Sequence, residues 1–151
     1  MLDDTDRRLL RQYLADPAQP ASALAERAGL TTATAWRRLE RLRAAGVIGS
    51  RKAVIDWRRM GYEVEVSLRF TLDKTTPRAF DEFLAAAREV PEVIAVETFL
   101  GRVDVRLNVI ARDMAHYADL YRERILTLPH IVEIEALMHV ATIKDVEALP
   151  L

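Results

Sequence analysis

Two different periodicities run along this chain. Over residues 1–45 apolar positions return every three or four residues, whereas from Tyr62 onward they alternate. In the first part, Leu9, Leu10, Tyr13 and Leu14 predict an amphipathic helix capped by Asp3, with Asp4 and Asp6 favourable in its first turn. Asp16-Pro17 ends that helix, and Pro20 is suited to the first position of the next. The stretch from Ser22 to Ile48, SALAERAGLTTATAWRRLERLRAAGVI, then reads as two short helices around a tight turn. Leu24, Ala25 and Ala28 form a small apolar stripe, Gly29 offers a left-handed stop, Leu30 fills the corner and Thr31 is the expected N-cap. Ala35, Leu39 and Leu42 share the buried face of the following helix, which Gly46 ends. Val47 to Ile55 predicts a short strand or wing carrying Arg51 and Lys52, which either touch phosphate or are simply solvated.

The segment 56–61, DWRRMG, reads as a linker. Beyond it Tyr62, Val64, Val66, Leu68, Phe70 and Leu72 alternate with Glu63, Glu65, Ser67, Arg69 and Thr71, an amphipathic strand. A helix starting at Thr76-Pro77 is expected to bury Phe80, Phe83, Leu84 and Ala87 and to stop before Pro91. Val93 to Leu100 and Asp104 to Ile110 form a hairpin around Gly101-Arg102-Val103. Asp113 caps a further helix with Met114, Tyr117, Leu120, Tyr121 and Leu128 on its core side, and Ile131 to Ile143 is a long last strand. The fold class is therefore α+β. A three-helix helix-turn-helix, winged-helix-like domain (1–55) and the linker precede a ferredoxin-like βαββαβ antiparallel sheet domain (62–151). Helices cover one face of such a sheet. Val132, Ile134, Ala136 and Met138, set against Leu137 and Ile143, are expected to leave apolar side chains on the other face, which predicts a homodimer.

Composition sharpens this picture mainly through charge. Residues 1–59 hold 12 Lys/Arg against 7 Asp/Glu, a net of +5, while residues 60–151 hold 10 against 16, a net of −6. A near-neutral chain thus has a basic front, suited to a polyanion. Thr32, Thr34, Arg37, Arg38 and Arg41 fall outside the buried stripe of the second turn helix and are the candidate DNA contacts. Trp36 lies beside the stripe and either packs on the first helix or meets DNA. A basic helix face also occurs on ordinary packing units, so the charge map is what favours DNA. Cysteine is absent and His116, His130 and His139 are scattered, so neither a disulfide framework nor a metal site is expected, and no cofactor. No run reaches a membrane span, the first residues do not read as a signal peptide, and a cytoplasmic protein is the expectation. Glu133, Glu135 and His139 share a strand face, but without a catalytic motif they read as a polar face rather than acid–base machinery.

Several pieces stand together in order: Leu2-Asp3 with Asp6 and Leu9-Leu10, LAERAGLT, Arg38-Leu39 with Arg41-Leu42, and GVI. Leu100-Gly101 with Asp104, Asp113 with Tyr117, Leu128-Pro129 and Ile143-Lys144 follow. In these the chain resembles the Lrp/AsnC (leucine-responsive/asparagine regulator) family of prokaryotic transcription regulators over essentially its whole length. The resemblance implies a non-enzymatic, sequence-specific regulator of double-stranded DNA. It also implies a homodimer that builds into tetramers or octamers, and a C-terminal domain that senses a small effector, typically an amino acid. The family's Gly-Asp-Tyr-Asp-Tyr-like loop reads here Gly101-Arg102-Val103-Asp104-Val105. Gly101, Arg102, Val103 and Asp104 are the candidate effector contacts: Gly101 N–H for a carboxylate, Asp104 for an ammonium, Arg102 for added charge. The valines in place of aromatics favour an apolar amino acid. A metabolite sensor without a DNA role is the alternative reading, and a haem-pathway decarboxylase-like enzyme of the same architecture a more distant one.

Overall fold

The computed structural model describes residues 2–49, 53–144 and Leu149. These fall into two units, one of Met1–Val54 with Ile143–Leu151 and one of Ile55–Thr142. The first holds helices α1 (Asp4–Ala15), α2 (Ala21–Arg27) and α3 (Thr32–Ala44). Their ends follow from local chemistry. Asp3 caps α1 in a reciprocal box: its carboxylate accepts from Asp6 N at 2.7 Å, and Asp3 N donates to the Asp6 carboxylate at 3.2 Å. At the end of α2, Gly29 N donates to Glu26 O and Leu30 N to Ala25 O. This is a Schellman cap, and Gly29 adopts the left-handed φ of 68° that it requires. Leu30 then packs on the core of Leu9, Leu24, Ala25, Ala28, Ala35 and Leu39, and Thr31 caps α3 by accepting from Thr34 N at 3.3 Å. Pro20 stands at the N-cap of α2, one position before the place the sequence suggested.

The expected wing strand does not form among the described residues. A second Schellman cap takes its start: Gly46 N donates to Arg43 O and Val47 N to Leu42 O, while Ile48 folds back onto the core. Arg51 and Lys52 lie outside the described residues.

The second unit opens with a 3-10 turn at Arg58–Met60 and continues β1 (Val64–Leu72), α4 (Ala79–Arg88), β2 (Val93–Thr98), β3 (Val105–Ala111), α5 (Met114–Leu120) and β4 (Ile131–Met138). A π-helical turn, Tyr121–Ile125, prolongs α5. The sheet order β2-β3-β1-β4, antiparallel throughout, is that of a ferredoxin-like βαββαβ unit. Val66, Leu68, Phe70 and Leu72 of β1 and Val105, Leu107 and Val109 of β3 point to one side. There they meet Phe83 and Ala87 of α4, and Leu120, Ile125 and Leu128 around α5; the Phe70 and Phe83 rings lie 4.9 Å apart. The α4 helix begins at Ala79 rather than at Thr76-Pro77, whose residues form the preceding turn. Met114, at the first position of α5, is exposed rather than in the core.

Two expectations about the last strand are corrected. It ends at Met138 instead of Ile143, because Met138 pairs with Val66 and His139 N makes the last rung to Glu65 O at 2.9 Å, near the start of β1. Register also turns Ile134, Ala136 and Met138 to the helical side, opposite Phe70, Leu68 and Val66. The open face of the sheet is instead mostly polar, with Ser67, Arg69, Thr71, Arg106, Asn108, Glu133 and Glu135. Leu137, opposite Ser67, and Ile110, opposite Glu65, are apolar members of it, and Val132 is exposed at the bulge of the last strand. Ile134 joins the core, while Met138 remains half exposed at the sheet edge.

Candidate nucleic-acid interface and effector cavity

The basic helix α3 splits into two sets of side chains. Arg38 and Arg41 turn back onto α1, where Asp6 is fully buried (0% exposed). Arg38 Nη1 donates to Asp6 Oδ1 at 2.8 Å and to Asp3 at 2.7 and 3.0 Å, and Arg41 Nη2 binds Asp6 Oδ2 closely. A buried carboxylate needs such partners to offset its lost hydration. The Arg38 guanidinium holds the Asp3 carboxyl below the usual carboxylate range, with the Asp6 N–H as the second cause. Arg38, with 23% of its side chain exposed, thus fixes α3 to α1, and Arg41 adds a second bond to Asp6 while 56% of its side chain stays exposed. Thr34 is half-buried and its hydroxyl bonds Thr31.

The outward face carries Thr32, Ala33, Trp36, Arg37 and Glu40. Trp36 is 54% exposed and does not enter the core, and the Arg43 guanidinium lies 5.8 Å over its ring. Arg43 in turn bonds Glu40 at 2.6 Å. Arg37 is exposed and, among the described residues, has no ion pair. An aromatic plane, a hydroxyl and a free guanidinium at the start of a helix can meet phosphates and base edges.

In the second unit, the β2–β3 loop borders a cavity of about 350 Å³ lined by Phe99, Leu100, Gly101, Arg102 and Val103, with Arg69 and Arg106 from the open sheet face. This is within the ~300–1,000 Å³ usual for small-molecule sites. Three of the four expected effector residues line it. Asp104 does not: it is 3% exposed, its Oδ2 accepts from Leu72 N at 2.9 Å and its Oδ1 meets Lys74 Nζ at 2.8 Å. Burial pushes its carboxyl up, but the Leu72 N–H and the Lys74 ammonium together hold it below the ordinary range. Asp104 thus anchors the loop, and its oxygens already have an N–H and an ammonium as partners. Arg69 and Arg106 were not singled out from the sequence. Each lies on the polar phase of its strand, and only the pairing Arg69↔Arg106 reveals that they are neighbours.

A second cavity of about 200 Å³ adjoins the first and shares Arg69, Arg102 and Val103 with it. Thr71, Ile134, Glu133 and Glu135 complete its walls. The two glutamates thus border a groove on the open sheet face, while His139 stands apart beside Glu65 at 3.5 Å. Among the described residues no helix is long and apolar enough to cross a membrane.

Comparison with known proteins agrees with this division. Residues 2–48 match the model of a winged helix-turn-helix DNA-binding domain, and residues 65–149 that of the Lrp/AsnC ligand binding domain. The chain is 30% identical over 131 residues to the proline dehydrogenase transcriptional activator of Rhodobacter capsulatus, covering 87% of this chain and 85% of that protein. An AsnC family transcriptional regulator from Agrobacterium tumefaciens superposes with a TM-score of 0.83 at 28% identity, covering 99% and 97% of the two chains. A Neisseria meningitidis transcriptional regulator in complex with L-Met has the same fold, with a TM-score of 0.86 at 23% identity, covering 99% and 97%. The chain therefore belongs to the Lrp/AsnC family, non-enzymatic transcriptional regulators that join a helix-turn-helix DNA-binding domain to a ligand-binding domain.

Proposed function

We propose that this regulator works in the cytoplasm as a homo-oligomer, binding specific double-stranded DNA through the outward face of α3. The observation that carries the reading is the division of α3: Asp6 fixes Arg38 and Arg41, and this presents Thr32, Trp36 and Arg37 to the outside. A dimer would set two such helices in successive major grooves, roughly 34–36 Å apart. Arg37 would neutralise phosphate or read guanine, while Thr32 and Trp36 contact base edges and sugars. Exposed apolar side chains at the sheet edge (Val132, Leu137, Met138) and at the loop (Phe99, Leu100) favour association of copies. An amino-acid effector in the loop cavity would alter DNA affinity by favouring one assembly over another. The bound L-Met of the Neisseria protein supports that class of ligand.

The test is selection of duplexes from a random pool by the full chain, followed by binding isotherms at several salt concentrations. The expected result is a two-fold symmetric site with half-sites one helical turn apart, and an affinity that falls steeply with salt. Selection of no sequence, with salt-independent binding, would favour a metabolite sensor without a DNA role.

A further inference from the structure

The chemistry of the loop cavity narrows its ligand, on the premise that this cavity is the effector site. Arg69 and Arg106 face one another across β1 and β3, an arrangement that is unfavourable by itself because like charges directly opposite repel. The row across all four strands reads Glu97, Arg106, Arg69, Glu135, so the carboxylates flank the arginines and do not separate them. Glu97 binds Arg106 through Nε at 2.6 Å and through Nη2. Glu135 reaches Arg69 Nη1 only at 3.5 Å, at the outer limit of a hydrogen bond. Arg102 brings a third guanidinium from the loop, without an ion pair among the described residues. No carboxylate lines this cavity. Next to it, the smaller cavity holds Glu133, Glu135 and the Thr71 hydroxyl.

We infer that the site takes an acidic α-amino acid, its two carboxylates on Arg69, Arg102 and Arg106 and its ammonium towards Glu133 and Glu135. With Glu97 already on Arg106 and Glu135 turned to the ammonium, the single carboxylate of a neutral amino acid serves Arg102 or Arg69 and leaves the other without a partner; a second acid group serves it. The charge-assisted, bidentate geometry open to guanidinium explains why arginine rather than lysine fills all three positions. Of the two valines behind the apolar preference, Val105 is buried in the core, while Val103 shares the cavity wall with Phe99, Leu100 and the three arginines.

Titration calorimetry on the full chain tests this with L-glutamate, L-aspartate, L-glutamine, L-leucine and succinate as probes. One of the two acidic amino acids is expected to bind about 10- to 100-fold more tightly than glutamine, the scale of losing charged hydrogen bonds. It should also bind more tightly than succinate, which lacks the ammonium. Arg69→Gln and Arg106→Gln are expected to erase the preference over glutamine. Arg102→Gln, on an exposed loop side chain, gives the same readout should either sheet variant fold poorly. Leucine or glutamine binding as tightly as the acids would overturn the inference while leaving an amino-acid effector in place. Acid binding unaffected by all three variants overturns the location, and succinate equal to the acids overturns the ammonium site. If none of the probes binds, both the inference and the amino-acid reading on which it rests fall.

Discussion

Each unit of this protein buries one aspartate, and the two do different work. Asp6 and Asp104 are the buried charged side chains among the described residues. Asp6 is held by side chains 32 and 35 positions away, the arginines of α3, and so fixes the direction of one helix against another. Asp104 is held by a backbone N–H and one lysine, and so fixes the path of a loop against a strand. The helical unit thus uses cations of its basic helix, Arg38 above all, to hold the fold. The sheet unit instead uses Lys74 from the β1–α4 turn, and its arginines Arg69, Arg102 and Arg106 remain around the cavity.

The largest effect that would break this comparison is loss of Asp6. In Asp6→Ala the arginines lose charged hydrogen bonds to a buried carboxylate and α1 loses part of its capping box, at a cost of ~2–3 kcal/mol to the helical unit, while Arg38 keeps Asp3. Chemical denaturation followed by circular dichroism should show this as an early transition. A loss below ~1 kcal/mol would mean that the arginines are not held by it.

Asp104→Ala comes next. It leaves Leu72 N–H buried without an acceptor, which costs ~1–3 kcal/mol, and it should loosen the β2–β3 loop. Hydrogen exchange at Leu72 and in residues 99–104 is the measurement, with faster exchange there and unchanged exchange in α1–α3 as the expected outcome.

Acid provides a smaller and graded test. The folded-state pKa values of Asp3 and Asp104 lie below the ordinary 3.8. Their contribution is therefore fully present above that value and lost as pH falls through the lower folded values. Melting midpoints measured from pH 6 down to pH 2 should fall in the acid range, and less steeply in Asp104→Asn. Equal slopes in the two proteins would remove Asp104 from the account.

Much of the helical unit was legible because its signals are local. Asp3, Gly29 and Thr31 cap their helices through bonds to residues three positions away, and the spacing of Ala35, Leu39 and Leu42 defines a face without reference to the rest of the chain. The same wheel could separate Arg37, Arg38 and Arg41 from the core but not from one another, because what distinguishes them is an aspartate more than thirty residues earlier. The sheet shows the same limit. Alternation gave each strand and the βαββαβ order, yet the face on which Ile134 and Met138 lie depends on register, which β1 sets. Arg69 and Arg106 were invisible as a pair for the same reason. Among the described residues no wing strand forms at Val47 and Ile48, because the capping role of Gly46 at 71° φ outweighs their β-branched propensity.

The central claim is that α3 divides its arginines between fold and DNA, and comparing Arg37→Ala with Arg38→Ala tests it most directly. Melting midpoint and affinity for a selected duplex are measured on both, at two salt concentrations. Arg37→Ala should keep the midpoint and lose ~1–3 kcal/mol of binding if it reads guanine, or reduce the salt slope by about one unit if it meets phosphate. Arg38→Ala should lower the midpoint while the folded protein retains its affinity and slope. The reverse pattern, with Arg38→Ala stable but unable to bind and Arg37→Ala unaffected, would contradict the account.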